Sequence, residues 1–214
     1  MSRVLADVFG EKPQKLAPDR SIYRLSGRVS VNGTPATLKT RIGPNDTIET
    51  GKSSEVVFVN GVSAFVLRES SRMSLEQQRA TNVLTNALRL ATGKLLAVFG
   101  PNNPQRIDTA TATIGIRGTG IYAETDPEQT YFCTCYGVTD INANSDPNSR
   151  KTVTSTHHDE PVYILSKPKD GETIRKAPFI NHTDQELMLI EALVDRSPPF
   201  VFPSEDYGGP RKNY

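Results

Sequence analysis

Short runs of alternating apolar and polar residues follow one another through most of this chain. A period of two is typical of β-strands, because successive side chains point to opposite faces of a sheet. Two runs lead into Asn-Gly, the strongest short-range signal of a β-hairpin: residues 29–31 precede Asn32-Gly33, and residues 55–59 precede Asn60-Gly61. Strand signals recur about every 8 to 12 residues, as they do in β-sandwiches and barrels.

The pattern therefore predicts an all-β fold, either a β-sandwich or a short β-helix-like domain of many short antiparallel strands. The last predicted strand covers residues 162–165. Residues 43–46 and 100–104 are predicted turns, because each combines Gly and Pro with Asn. Further strands are predicted at residues 34–38, 47–51, 62–67, 70–75, 93–98, 112–123, 130–138 and 151–156.

Residues 77–90 depart from the strand pattern. Val83, Leu84, Ala87 and Leu88 are spaced so that they allow a short amphipathic helix, whereas Leu88 and the apolar residues after it resume a strand. We predict an excursion from the sheet here.

A capping box marks the start of a helix near the C-terminus. Thr183 is followed three residues later by Glu186, and an apolar stripe of helical spacing comes next. We predict a helix over residues 184–195, which ends before the two prolines at 198 and 199 because proline cannot continue it. Phe200, Val201 and Phe202 are expected to pack an extended tail onto the domain. The stripe consists of Leu187, Ile190, Leu193 and Val194.

The chain divides into three predicted parts. Residues 1–20 are polar and form an N-terminal arm, residues 21–140 form a β domain, and residues 141–214 form an extension with a strand, the helix and a Pro-rich tail. Asp7 interrupts the first apolar run, so we do not expect a secretory signal there. The protein either stays in the cytosol or is a mature form with a replaced start.

Composition and charge restrict the function classes. With 25 Lys and Arg against 24 Asp and Glu, the net charge is only +1, so no bulk attraction for nucleic acid or an anionic membrane is expected. No apolar run approaches the roughly 18 to 20 residues that span a bilayer, so the chain is not expected to be an integral membrane protein. The oligomeric state does not follow from the sequence.

The strand at residues 112–124 is interrupted by three glycines and an arginine. Glycine within a strand marks a bulge, a sharp turn or a close backbone approach. The stretch is interpreted either as a structural corner, with Arg117 bonded to exposed carbonyls, or as an anion site of backbone amides and guanidinium. The residues concerned are Gly115, Arg117, Gly118, Thr119 and Gly120.

Both cysteines and all three histidines lie in the last part of the chain. Two residues apart on a strand, the cysteines point to the same face, a geometry that disfavours a disulfide between them. Thiolate and imidazole together suit zinc, copper or iron. The alternatives are ordinary apolar packing for the thiols and surface hydrogen bonds for the histidines. The candidate ligands are Cys133, Cys135, His157, His158 and His182.

Catalytic signatures are scarce. The sequence contains no nucleophile elbow, phosphate loop or His-Glu-x-x-His helix, so we do not expect an enzyme. A thiol enzyme, with Cys135 as nucleophile and His157 as base, stays open only if the fold brings the two together.

An ordered set of short motifs resembles the FecR domain family. It runs from about Gly27 to Val138, and Gly-Ile-Arg-Gly-Thr at residues 115–119 is its most distinctive part. The earlier elements are Gly27-Arg28-Val29-x-Val31-Asn32-Gly33-x-Pro35-Ala36, Gly43-x-x-Asp46-x-Ile48-x-Thr50-Gly51-x-Ser53, Glu69-Ser70-Ser71 and Gly93-Lys94-Leu95.

The resemblance implies an all-β module in the bacterial periplasm or outside the cell, which in regulators relays a transporter signal to a sigma factor. No segment here resembles the anti-sigma helices or membrane span of those regulators. The leading hypothesis is a stand-alone, non-enzymatic binding or scaffolding module with a protein partner in the envelope, in signalling or surface assembly. A metal-binding protein and, third, a thiol enzyme remain alternatives.

Overall fold

The computed structural model describes residues 13–80, 83–101 and 105–200. Within them the chain is almost entirely β, as predicted, and ends in a helix. The first part of the predicted arm, part of the turn at 100–104 and residues 201–202 of the predicted tail lie outside the described residues. The elements are β1 Ile22–Ser26, β2 Val29–Val31, β3 Thr34–Pro35, β4 Thr47–Thr50, β5 Glu55–Asn60, β6 Ser63–Leu67, β7 Arg72–Ala80, β8 Val83–Val98, β9 Gln105–Asp108, β10 Ala112–Thr125, β11 Gln129–Ala143, β12 Arg150–Ser155, β13 Val162–Lys169, β14 Glu172–Lys176 and α1 Asp184–Leu193.

All of these strands are hydrogen-bonded into one sheet. Its main path runs β14-β13-β11-β10-β9-β8-β7-β4-β2-β3, with β6, β5 and β1 branching from β8, and β12 lying on β11. The pairs are antiparallel except β8 with β9, which is parallel, so the prediction of antiparallel strands misses one pair among the described residues. β11 runs across the predicted domain boundary at residue 140, and the three-part division stays a prediction.

The two faces of the sheet bury two separate hydrophobic clusters. The inner cluster contains residues from strands near both ends of the main path, such as Val31 on β2 and Ile164 on β13, so the sheet curls around it. The outer cluster lies on the opposite face, because neighbouring residues of one strand alternate: Leu95 is in the inner cluster and Leu96 in the outer one. Helix α1 covers the outer cluster.

Two-residue turns form both predicted hairpins, and another such turn joins β13 to β14. Asn32 and Gly33 both have positive φ, 52° and 76°, as a type I′ turn requires. Asn60 pairs with Ser63, so the second hairpin also forms, with the loop one residue later than the Asn-Gly signal. The prediction that residues 162–165 are the last strand is wrong, since Asp170-Gly171 turns the chain back into β14.

The excursion predicted within residues 77–90 is wrong, and the helix that the spacing allows does not form. β7 and β8 form a hairpin here, with Leu75 opposite Leu88 and Met73 opposite Leu90. Leu88 and Leu90 are both in the inner cluster, two residues apart on one strand face. The sequence alone is compatible with both a helix and a strand, and burial of this face favours the strand.

Helix α1 is confirmed together with its capping box. The Thr183 side chain accepts a hydrogen bond from the Glu186 N–H, and the Glu186 carboxylate accepts one from the Thr183 N–H at 3.0 Å. The helix ends at Leu193, two residues before the predicted end, and Asp195 follows with a φ of 61°. The Leu16 N–H donates to the Leu193 carbonyl at 3.0 Å, so the described part of the predicted arm lies against the end of the helix.

Candidate metal centre

Strand β11 brings both cysteines to the outer face of the sheet. Cys133 and Cys135 are 0% exposed and lie in the outer cluster, which confirms that they share one face. Both are free thiols. Ala177, Phe179 and Ile180, from the segment that follows β14, pack against the same cluster.

His158 comes from the loop after β12. Its N–H donates to the Cys135 carbonyl at 2.9 Å, and its backbone adopts a positive φ of 55°, so the turn directs the ring toward the cysteines. The Asp159 carboxylate holds the turn by accepting a hydrogen bond from the Thr156 N–H at 2.7 Å. The His158 Nδ1 lies 3.5 Å from the Cys133 Sγ as a result.

His182 immediately precedes the N-cap of α1. Its side chain is 0% exposed and stacks on the Tyr122 ring, with centroids 4.5 Å apart. Its Nδ1 is 2.7 Å from the Ile180 carbonyl oxygen, and its Nε2 is 3.1 Å from the His158 Nδ1.

Four of the five predicted ligands thus meet at one buried point. One ligand atom from each of Cys133, Cys135, His158 and His182, here the Cys2His2 cluster, lies within 4.8 Å of all the others. Tetrahedral zinc, with bonds of about 2.3 Å to sulfur and 2.0–2.1 Å to nitrogen, places neighbouring ligand atoms roughly 3.3–3.8 Å apart. Small side-chain shifts suffice to match that geometry.

The hydrogen bonds of the two histidines leave two ring nitrogens facing each other. A carbonyl oxygen only accepts, so the His182 Nδ1 carries the proton that it donates to Ile180. The Asp184 carboxylate likewise accepts from the His158 Nε2 at 3.0 Å. In neutral rings the remaining nitrogens, 3.1 Å apart, both present lone pairs. A cation between them, either a proton or a metal ion, is needed to make the contact favourable.

The pKa shifts in the metal-free cluster also favour a positive charge between the two histidine nitrogens. Burial alone would raise the pKa of the Cys133 thiol, but hydrogen bonds from Cys135, His158 and His182 bring it well below its ordinary value. Burial opposes charge on His158, yet the Asp184 carboxylate and Cys133 raise its pKa to about 9. Burial and the neighbouring Cys133 raise the pKa of Cys135. The cluster therefore favours a thiolate and a positive charge between its nitrogens.

His157 and Asp184 complete the surroundings. The structure places the His157 Nε2 2.9 Å from the Asp184 Oδ2, in a second group with His158, rather than in the Cys2His2 cluster. Asp184 is 0% exposed, and hydrogen bonds from both histidines outweigh burial and lower its pKa. The sequence prediction missed Asp184, although its position at the start of a capped helix, two residues after His182, was a visible signal.

The nucleophile and base proposed for a thiol enzyme are corrected. The thiol that contacts a histidine is Cys133, and its partner is His158 rather than His157. Both atoms are buried.

The glycine-broken strand forms a corner in β10. Its pairing with β11 shifts register between Arg117 and Ile121, and Gly118 has a φ of 57°. The Arg117 guanidinium, on a side chain 61% exposed, binds the Asp140 carboxylate at 2.6 Å instead of the predicted carbonyls. A carboxylate already compensates this positive charge, so the geometry favours the structural interpretation over an anion site.

Replacing Arg117 with Gln is expected to have little effect. Exposed ion pairs contribute about 0.2–1 kcal/mol, so the free energy of unfolding in urea should change by less than about 1 kcal/mol. Phosphate should stabilise the wild type and Arg117→Gln equally. Stabilisation by phosphate that disappears in the variant would restore the anion-site interpretation.

The comparisons with known proteins concern mainly the middle of the chain. Residues 46–137 match the family model described as FecR protein. No curated protein matches. Two crystal structures of a candidate anti-sigma factor from Parabacteroides distasonis ATCC 8503 are similar to this chain, with TM-scores of 0.49 and 0.47 at 12% and 13% identity. Each alignment covers 61% of this chain and 58% of that chain, so the chain spans little more than half the length of those structures.

The family match ends inside the site. Cys133 and Cys135 lie within the matched residues 46–137, whereas His158 and His182 lie beyond them. Across the described residues, no helix has both the length and the apolar character to cross a membrane.

Proposed function

We propose, for a chain with a FecR-family segment at residues 46–137, that it is a non-enzymatic binding module of the bacterial envelope that holds one zinc ion on the Cys2His2 cluster. The observation that carries the metal assignment is the 3.1 Å contact between the His158 Nδ1 and the His182 Nε2. The other nitrogen of each ring is already committed to an acceptor, so the facing pair is left to bind a cation.

The ligand set favours zinc. Two thiolates and two imidazoles in a closed, four-coordinate arrangement are typical of structural zinc sites. Metal-bound histidines usually donate their second N–H to a carboxylate or a backbone carbonyl, and here His158 donates to Asp184 and His182 to Ile180. Copper and iron also bind such ligands, and the metal analysis below distinguishes them.

A structural role for the ion agrees with a non-enzymatic protein. Catalytic zinc sites keep one position for water or substrate, whereas here the protein supplies all four ligands. Cys133 and Cys135 are completely buried, which leaves no path for a substrate to either sulfur. These features support a binding module over a thiol enzyme.

The envelope location and the protein partner are supported by the FecR match alone. Fractionation of the native organism should place the protein in the periplasm or outside the cell, and crosslinking in envelope extracts should capture a protein partner. Recovery only from the cytosol would contradict the location. Crosslinking that enriches no envelope protein over a control extract without this protein would contradict the partner.

Metal analysis tests the zinc site. We expect about one zinc per chain after purification without chelators or added metal, measured by inductively coupled plasma mass spectrometry. The Cys133→Ser/Cys135→Ser variant should retain less than about a tenth of that zinc, because two ligands leave with the sulfurs. His157→Ala, which changes a nearby histidine outside the cluster, should retain all of it.

Two results would contradict the zinc assignment. One is a wild-type protein that binds no metal even after dialysis against zinc. The other is equal zinc in the wild type and the double cysteine variant. Copper or iron in place of zinc would keep the cluster but correct the ion.

A further inference from the structure

The Cys2His2 cluster joins two parts of the chain that the family match separates. Its sulfurs stand on β11 within the matched segment, and His182 lies in the C-terminal extension, directly before α1. An ion bound there crosslinks the extension to the sheet. The crosslink is placed one residue before the N-cap Thr183, so it acts on the first turn of the helix.

Helix α1 covers an apolar surface of the matched segment. Leu187, Ile190 and Leu193 are buried in the outer cluster, together with residues of β5, β6 and β8. All of these strands belong to residues 46–137. The residues that β5, β6 and β8 contribute to this cluster are Val57, Ala64, Val66, Leu96 and Val98.

The polar contacts under α1 are buried or partly buried. Arg68 donates to the Glu186 carboxylate at 2.7 Å, and the Tyr136 hydroxyl donates to Glu191, which also accepts from Arg196 at 2.6 Å. Buried ion pairs offset only part of their desolvation cost, so they orient the helix more than they stabilise it. The helix is therefore held on the sheet mainly by its apolar contacts and by the crosslink near His182.

Loss of the ion would act first at the start of the helix. Asp184, His158 and His182 are all buried, and without the ion the His158 Nδ1 and the His182 Nε2 face each other at 3.1 Å, while Asp184 keeps its hydrogen bonds from His157 and His158. Burial of such groups is costly unless each has a partner. Water reaches all three if the segment before and including the first turn of α1 lifts from the sheet.

We propose, on the basis of the zinc site proposed above, that the ion is a clasp that controls whether residues 177–196 cover the outer face of the FecR-family segment. Zinc keeps α1 docked. Loss of zinc releases the helix and exposes the apolar surface of β5, β6 and β8. The module therefore responds to metal: zinc binding favours the docked state of α1, and release of α1 favours loss of zinc.

Hydrogen exchange of the full chain tests the clasp. With zinc confirmed at one per chain, removal of the ion by a chelator should speed amide exchange in residues 184–193 by at least about tenfold. Residues 112–116 of β10, in the inner cluster, should exchange as slowly as before. Unchanged exchange in α1 after zinc has been lost would overturn the clasp but leave the zinc site standing. Absence of zinc in the starting protein would overturn the site itself.

Linkage provides a second, independent measurement. If zinc and docking are coupled, a change that weakens docking must weaken zinc binding, because apparent affinity falls with the fraction of competent molecules. Leu193→Ala, at the end of α1 remote from His182, should raise the zinc Kd about tenfold or more in competition with a chromogenic chelator. Ile116→Ala, a matched core truncation in the inner cluster, should leave the Kd unchanged. Equal Kd values for the wild type and Leu193→Ala would contradict the coupling.

Discussion

Removal of zinc should lower the melting temperature of this protein by about 8–16 °C. An ion that binds only the folded state adds about 4.1 kcal/mol at a free concentration of 1,000 times its Kd. For a chain of this size, 1 kcal/mol corresponds to about 2–4 °C. Scanning calorimetry with saturating zinc and with excess chelator measures the shift directly.

Two variants make this prediction specific to the cluster. The Cys133→Ser/Cys135→Ser protein should melt at the same temperature with zinc and with chelator, because it has lost two of the four ligands. His157→Ala should keep the full shift, since the structure places His157 beside Asp184 and outside the cluster. A wild-type melting temperature that does not respond to zinc would show that the ion, if bound, does not stabilise the fold.

Gly120→Ala should destabilise the protein by about 2 kcal/mol, or by about 4–8 °C in melting temperature. A Cβ at Gly120 would lie 2.8 Å from the Tyr136 Cζ and closer still to Cε1. The ring cannot swing away freely, because its hydroxyl is bonded to Glu191 of α1. Overpacking of this kind typically costs about 1–3 kcal/mol.

Gly115→Ala is the matched control in the same strand. The nearest atom to a Cβ there is the Asp140 Cβ at 3.8 Å, an ordinary contact, so this variant should be within about 0.5 kcal/mol of wild type. In a Tyr136→Ala background, Gly120→Ala should lose most of its cost. Equal effects of the two glycine substitutions in urea denaturation would contradict the steric account of the corner.

Local signals in the sequence predicted most of the fold. Period-two patterns, Asn32-Gly33 and the Thr183 capping box depend on neighbouring residues and were interpreted correctly. Asp170-Gly171 is a signal of the same kind, so local reasoning is sufficient to predict β14 as well. Residues 77–90 are different, because their pattern fits both a helix and a strand. Burial of Leu88 and Leu90 against distant strands favours the strand.

The candidate site was only partly predictable for a related reason. That Cys133 and Cys135 share a face follows from strand geometry alone. Long-range packing determines how the loop after β12 and the start of α1 return to β11. The paths of these two segments decide which histidines reach the sulfurs. His158 and His182 converge on the sulfurs, whereas His157, adjacent in sequence, points to Asp184. The Asp184 carboxylate has a role only once His157 and His158, the two histidines that contact it, are in place.

X-ray absorption at the zinc edge of the purified protein tests the central claim most directly. For zinc on the Cys2His2 cluster we expect two sulfur ligands at about 2.3 Å and two nitrogen ligands at about 2.0–2.1 Å. Any zinc that the Cys133→Ser/Cys135→Ser variant retains should show no sulfur shell. A wild-type spectrum with only oxygen and nitrogen ligands, or one without bound zinc, would contradict a metal centre built from Cys133, Cys135, His158 and His182.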